Sequence, residues 1–406
     1  MWLLDPSVVF LNHGAFGACP RPVLEAQQRL REELERQPVR FLARELEARL
    51  DAARAALAAF VGADPADLVF VPNTTTGVST VLRGLALAPG DELLVTDHAY
   101  AACRAAAEFV AARAGARVVV ARLPFPLTSA DEVVDAVLDA VTPRTRLALI
   151  DHVTSPTGLV LPVGRLVQAL AARGVDALVD GAHAPGMVSL ALGRLGAAYY
   201  VGNCHKWLCA PKGAAFVHVR RDRHADLHPL ALSHGLATPR RDRPRLHLEF
   251  DWTGTHDPTP YLAVPEALRV LGAALPGGWP ALMARNRALA LEARRLLAEA
   301  LGVPPPCPEE MVGTLVAFPL PPAPAPPPPA RDPLQVALLD RYGIEVPVLA
   351  WPASPGRLLR VSVHLHTERA HLTRLVAALD ALGVTRAGRP DAAPADARGG
   401  AGASDR

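Results

Sequence analysis

Ala177-Leu178-Val179-Asp180-Gly181-Ala182-His183 is an apolar run closed by an acid and a glycine, and a second short run, Tyr199-Tyr200-Val201, soon leads into His205-Lys206-Trp207. A short apolar run bounded by turn-forming residues reads as a strand buried on both faces. Strands of that kind belong to parallel sheets, whose ligands sit outside the carboxyl ends of the strands. Working outward, the pattern recurs: Leu68 to Val71, Glu92 to Thr96, Arg117 to Ala121, Arg146 to Asp151 and Ala214 to Val219 read as strands, and segments near 77–87, 99–114, 130–141 and 163–173 as helices. The alternation predicts an α/β fold with a mostly parallel sheet flanked by helices. Little sequence separates the strands at 199–201 and 214–219, so these two are expected to make an antiparallel edge.

Before this block, Pro22 to Phe60 carries apolar residues at helical spacing, with Pro38 breaking it into two helices. After it, roughly 275–301 reads as another long helix. A chain of 406 residues exceeds the usual single-domain size. The expected division is an N-terminal arm at 1–20 that contributes to the site, a large domain at 21–260, a smaller C-terminal α+β domain at 261–386, and a disordered tail at 387–406. The proline-rich stretch 321–330 is expected to be an extended surface loop.

Lys and Arg number 42 against 40 Asp and Glu, without a basic block, so the charge balance does not suggest a nucleic-acid partner. No apolar run approaches the roughly 18 residues of a membrane span, and Met1-Trp2-Leu3-Leu4-Asp5 has no basic leader, which points to a soluble cytoplasmic chain with no membrane partner. The five cysteines are scattered and form no C-x-x-C pair, arguing against a disulfide framework and against a zinc site; no metal is expected.

Chemistry-bearing residues cluster at the strand ends. A lysine that loses hydration, as Lys206 does behind two tyrosines, has a lowered pKa and a neutral amine able to bond to an aldehyde; the plain alternative is a surface charge. Asp180 ends its run where ligands bind, and paired with a pyridine nitrogen it would keep that nitrogen protonated; otherwise it caps the next loop. His183 lies close enough in sequence to reach a ring oxygen. Asn73-Thr74-Thr75-Thr76-Gly77 follows a strand and opens a helix, an arrangement of N–H groups and hydroxyls that suits a phosphate, although one threonine is an ordinary cap. His98 and Tyr100, after the strand at 92–96, offer rings to stack on a planar cofactor, Tyr100 being the first choice. Asn12 and His13 near the N-terminus and Arg360 near the C-terminus complete the set, and arginine suits bidentate capture of a carboxylate.

Together these lines resemble the class V aminotransferases, a family of fold type I pyridoxal-phosphate enzymes, over about residues 5 to 385. The resemblance is carried by Leu11-Asn12-His13-Gly14-Ala15-Phe16-Gly17, Val179-Asp180-Gly181-Ala182-His183-Ala184-Pro185-Gly186, Asn203-Cys204-His205-Lys206-Trp207-Leu208 and Phe250-Asp251-Trp252-Thr253-Gly254-Thr255. Within the family the isopenicillin N epimerase branch looks most similar, followed by the hercynylcysteine sulfoxide lyases. The resemblance implies a fold type I transferase fold, pyridoxal 5′-phosphate as cofactor and an amino-acid substrate. It further implies Lys206 as the Schiff-base lysine, Asp180 at the ring nitrogen, His183 at the ring oxygen and Tyr100 stacked on the ring. Thr74, Thr75 and His205 would hold the phosphate. Thr255 would reach it from a neighbouring subunit of a homodimer with shared active sites, and Asn12 and Arg360 would take the substrate carboxylate. Asn203 stands where many relatives have Ser or Thr, which leaves its phosphate contact open. No cysteine lies in Glu345-Val346-Pro347-Val348-Leu349, where desulfurases of the family carry their nucleophile, and Cys307 lies earlier between prolines, so sulfur transfer is demoted. The expected reaction is epimerisation at the α-carbon, with Lys206 as base and Tyr100, His98 or His13 as second acid; the alternatives are C–S β-elimination, transamination, and a non-catalytic cofactor-binding module.

Overall fold

The computed structural model describes residues 1–237, 240–323 and 331–386. The expectations for the tail at 387–406 and for most of the proline-rich stretch, 324–330, lie outside the described residues. Chain order of the strands is β1 (Val9–Phe10), β2 (Leu68–Val71), β3 (Glu92–Thr96), β4 (Arg117–Ala121), β5 (Thr145–Asp151), β6 (Asp176–Gly181), β7 (Tyr199–Asn203), β8 (Ala215–Val219), β9 (Leu315–Leu320), β10 (Ile344–Glu345), β11 (Val348–Ala350) and β12 (Arg357–Ser362).

Seven of them form one sheet in the order β2-β8-β7-β6-β5-β3-β4. Strands β4, β3, β5, β6 and β7 run parallel, and β8 runs antiparallel to both of its neighbours, β7 and β2. The antiparallel pairing of the last two strands agrees with the sequence reading, but β8 is not an edge: β2 covers it. All residues of β2, β3, β6 from Ala177 to Gly181, β7 and β8 are buried, as expected for a sheet with helices on both faces.

Helices at Thr74–Gly84, Ala101–Ala114, Ala130–Asp139 and Val163–Ala171 connect the strands. The first begins three residues before the sequence reading placed it, because Asn73 is the cap: its side chain accepts the N–H of Thr76 at 2.8 Å, and the threonines form the first turn. The break at Pro38 is present, with a helix at Arg21–Arg36 before it, followed by a π-helical turn at Arg40–Glu45 that runs into a helix at Leu46–Val61.

A three-stranded antiparallel sheet, β11-β12-β9, is covered by the long helix Gly278–Leu301, on which the helix Arg369–Ala381 packs in turn. The N-terminal segment belongs to this end of the molecule: β1 pairs in parallel with β10, and Asn12 bridges to Ser362 just beyond. Among the described residues no helix is long and apolar enough to cross a membrane.

Candidate active site

The chain leaves β3 for the edge strand β4 and returns to lay β5 on the other side of β3, so consecutive connections diverge there and a crevice opens outside the carboxyl ends of the strands. A cavity of about 670 Å³ occupies it. Thr74, Thr75, Tyr100, Asp180, His183, Asn203, His205, Lys206 and Arg360, widely separated in sequence, all line this one space.

Asp180 closes β6, buried, with Oδ1 accepting the N–H of Ala182 at 3.0 Å and Oδ2 the thiol of Cys103 at 3.3 Å. Lys206 follows β7. Burial, helped by the charge of Arg360 and opposed by Asp180, brings its pKa down to about 8. Its Nζ lies 3.1 Å from His183 Nε2. On the other side of that ring the indole of Trp207, fully buried, donates to Nδ1 at 3.3 Å. The imidazole is held well below its ordinary pKa by burial and the Lys206 charge, hence neutral. A neutral ring that accepts at Nδ1 carries its proton on Nε2 and can only donate there, so this contact becomes a hydrogen bond once the lysine amine has given up its proton, which its lowered pKa of about 8 brings within reach. Trp207 follows the His205-Lys206 pair in sequence, but that its indole reaches His183 is decided by the fold.

The phosphate-like end is built at the first turn of the helix Thr74–Gly84. Asn203 Oδ1 takes the N–H of Thr74 at 3.0 Å, so Asn203 joins the end of β7 to the helix start. Thr74 Oγ1 is buried with no partner. His205 donates Nδ1–H to the carbonyl of Ala214 at 2.9 Å, and burial lowers its pKa to about 4. Its Nε2 therefore meets an anionic oxygen only after taking up a proton.

Arg360 comes from β12. It is 5% exposed, donates to the carbonyl and hydroxyl of Ser155 at 2.6 and 3.3 Å, and has a buried Nε without a partner. Burial depresses its pKa to about 10. Among the described residues no carboxylate forms an ion pair with it, which leaves a buried guanidinium free to meet the carboxylate of a ligand.

Four expected residues lie elsewhere. His98 is buried behind the wall, bonded to Thr157 Oγ1 at 2.8 Å and edge-on to Trp351, while its neighbours Asp97 and Ala99 face the cavity. Burial pushes its pKa down to about 4. His13 is fully buried beneath the lysine loop, with Nε2 3.1 Å from the carbonyl of Lys206 and its ring stacked on His364 at 4.4 Å between centroids. Asn12 donates to Glu345 Oε1 at 3.1 Å rather than into the cavity. Thr255 is exposed and does not line this chain's own cavity.

Sequence reasoning missed Asp151, Cys103, Ser155 and Trp351, all of which line the cavity. An acid at the end of β5 was a visible signal. Its pairing with Asp180 was not, because register is a tertiary property: Asp151 stands opposite Asp180 on the neighbouring parallel strand.

The donor set suits a planar, phosphorylated aldehyde: an unpartnered hydroxyl at a helix N-terminus, a carboxylate deep in the cavity and a lysine amine of lowered pKa beside it. Comparison with known proteins agrees. The model of the aminotransferase class-V family matches residues 9–246. The chain is 39% identical over 394 residues to isopenicillin N epimerase of Streptomyces clavuligerus, covering 94% of this chain and 96% of the relative. It is 31% identical to a probable chloroplastic L-cysteine desulfhydrase of Arabidopsis thaliana, over 93% of this chain and 83% of the relative. The cystine C–S lyase C-DES has the same fold, with a TM-score of 0.75 and 22% identity over 92% of this chain and 97% of that one. The chain belongs to the aminotransferase class-V family and is a pyridoxal 5′-phosphate-dependent enzyme of fold type I.

Proposed function

We propose that this member of the aminotransferase class-V family inverts the α-carbon of an amino acid, with Lys206 as the base on one face and Tyr100 as the acid on the other. The observation that carries an amino-acid substrate is Arg360, a buried guanidinium in the cavity wall with no carboxylate partner among the described residues. A substrate carboxylate there would supply the missing charge and place the α-carbon over the lysine. When bound, pyridoxal 5′-phosphate supplies an electron sink for the pair left on that carbon. Thr74, Thr75 and His205, once protonated, would hold its phosphate, Asp180 its ring nitrogen and His183 its ring oxygen. The neutral amine of Lys206 is the group fit to accept the α proton, and His183 aims it.

Of the three candidates for the second acid, Tyr100 alone lines the cavity. It is 46% exposed, and with Phe16, 76% exposed, it forms an aromatic rim that suits a bulky side chain. Isopenicillin N epimerase of Streptomyces clavuligerus, 39% identical over 94% of this chain, supports an epimerase. The active molecule is a homodimer in which Thr255 of each subunit reaches the other's phosphate.

A second reading, C–S β-elimination, draws on the same geometry: with His98 and His13 outside the cavity, proton delivery to the far face rests on Tyr100 alone, and elimination needs none there. Incubating holoenzyme with candidate amino acids in deuterated water separates the readings. Epimerisation gives α-deuterium with inverted configuration, and Tyr100→Phe retains exchange while losing inversion. Pyruvate with a released thiol instead establishes the lyase, and neither product from any amino acid overturns both.

A further inference from the structure

Arg360 stands between two segments laid along one edge of β12. The first is β11, antiparallel to β12 with Leu349 opposite Leu358, and just beyond this pairing the N–H of Arg360 donates to the carbonyl of Pro347 at 3.1 Å. The second is the N-terminal arm: two residues further on, the N–H of Ser362 donates to the carbonyl of Leu11 at 2.9 Å. Both segments reach the cavity wall, the arm with Ala15 and Phe16, β11 and the residues after it with Leu349, Ala350, Trp351 and Pro352. None of these six side chains carries a charge, an amide or a hydroxyl, and the indole N–H of Trp351 is their one polar group. Ser155, also on the wall, is already engaged by Arg360.

The two aromatic residues are anchored at fixed points. Trp351 meets His98 edge-on at 4.6 Å between centroids, and His98 is itself bonded to Thr157 at 2.8 Å. Phe16 precedes Gly17, where a Cβ would lie 2.5 Å from the carbonyl oxygens of His205 and Lys206, so the arm is pressed against the lysine loop. Phe16 is nonetheless 76% exposed, a large apolar surface at a cavity mouth, which marks a place that a ligand covers. Outside the cofactor end, the charged wall residues besides Arg360 are Asp97 and Arg104, on the Tyr100 side, and both have partners: Asp97 Oδ1 takes the N–H of Leu123 at 3.0 Å, and Arg104 donates to Glu108 at 2.8 Å.

We propose that the substrate is an amino acid with a large apolar side chain, which leaves the α-carbon between Phe16 and Trp351 and runs along Leu349 and Ala350. The proposal rests on the reading of Arg360 as the clamp for the substrate carboxylate. With the carboxylate held there and the α-carbon over Lys206, the side chain is directed along the walls beside Arg360. An apolar chain sheds its water against apolar surface, whereas a carboxylate, ammonium or amide gives up hydration and meets a single indole N–H in return.

Calorimetric titration of the holoenzyme with amino acids matched in length tests this: leucine against asparagine, methionine against glutamate, norleucine against lysine. The apolar member of each pair is expected to bind at least about tenfold more tightly. Equal or reversed affinities overturn the proposal, whether or not any of these amino acids reacts. In Trp351→Ala and in Phe16→Ser the ratio of phenylalanine to alanine affinity is expected to fall about fivefold or more, and in Trp351→Phe to be kept. An equal fall for both amino acids, in variants whose unfolding midpoints match wild type, overturns the specificity role of these rings. Uptake of α-deuterium by the bound amino acids is followed separately. Apolar preference without exchange overturns inversion at the α-carbon and leaves the apolar pocket standing, whereas undiminished binding in Arg360→Ala overturns the clamp and the proposal with it.

Discussion

The state of one amine decides much of this site. The chain of bonds from Trp207 through His183 favours the neutral, accepting form of the Lys206 amine. Its pKa near 8 rather than 10.5 has a definite sign in linkage. The unfolded chain keeps the proton up to about pH 10.5 and the folded chain gives it up near 8. Across that window the unfolded state binds more protons, and the contribution of Lys206 to stability rises with pH. The same shift governs reactivity. In cofactor-free protein, labelling of Lys206 by an amine-selective reagent, followed by peptide mass spectrometry, is expected to rise through pH 8 and level off above it. A rate still climbing beyond pH 10 would mean that the amine is solvated. In Trp207→Phe the ring of His183 loses its fixed tautomer, and the midpoint should move up toward the ordinary lysine value.

At the scale of an element, the helix Thr74–Gly84 shows how a cap and a binding site share atoms. Asn73 satisfies Thr76 and Asn203 satisfies Thr74, which leaves the unpartnered hydroxyl of Thr74 for a ligand. Asn203 therefore acts through the helix. Its replacement by Ala removes the acceptor of a buried N–H and should cost about 1–2 kcal/mol in chemical denaturation. Asn203→Asp keeps the acceptor and adds a negative charge at the helix N-terminus, so stability should hold within about 0.5 kcal/mol. Affinity for pyridoxal 5′-phosphate, followed by fluorescence, should nonetheless fall by at least tenfold, because the carboxylate now faces the incoming phosphate. Equal losses of stability and affinity in both variants would refute this division of labour. The strands and helices were legible because each apolar run is short and bounded by turn residues. The helix start was misplaced by three residues because three threonines in a row suggest a cap, whereas the asparagine before them is the one with extended backbone.

In the whole molecule, distant segments converge on the lysine loop. The arm after β1 brings His13 against the carbonyl of Lys206, and Gly17 packs so tightly that a Cβ there would lie 2.5 Å from the carbonyl oxygens of His205 and Lys206. From the C-terminal side His364 stacks on His13, and β12 delivers Arg360. Cys209, the one non-glycine residue at positive φ among the described residues, turns the loop beneath them. Thr255, exposed and away from this cavity, places the remaining prediction at the level of assembly. Neither Lys206→Ala nor Thr255→Ala protein should bind cofactor in the wild-type manner. Mixed and reassembled, they should form heterodimers with one intact site, recovering wild-type affinity in up to about half of the sites of each heterodimer. Titration without such recovery, or a monomer in sedimentation, would remove the shared-site proposal.

Apolar runs ended by Asp180 and by the His205-Lys206 pair settle on their own a parallel sheet with chemistry at its carboxyl edge, because hydrophobic period and strand-end polarity are local properties of the chain. Which rings face the cavity was beyond local reading. His98 and Tyr100 are two residues apart, yet one is sealed against Trp351 and the other stands at the mouth. That choice belongs to the packing of β11 and β12 over the strand ends. The pairing of Asp151 with Asp180 belongs to register and the lowered pKa of Lys206 to burial, and both exist only once separate parts of the chain share the same space.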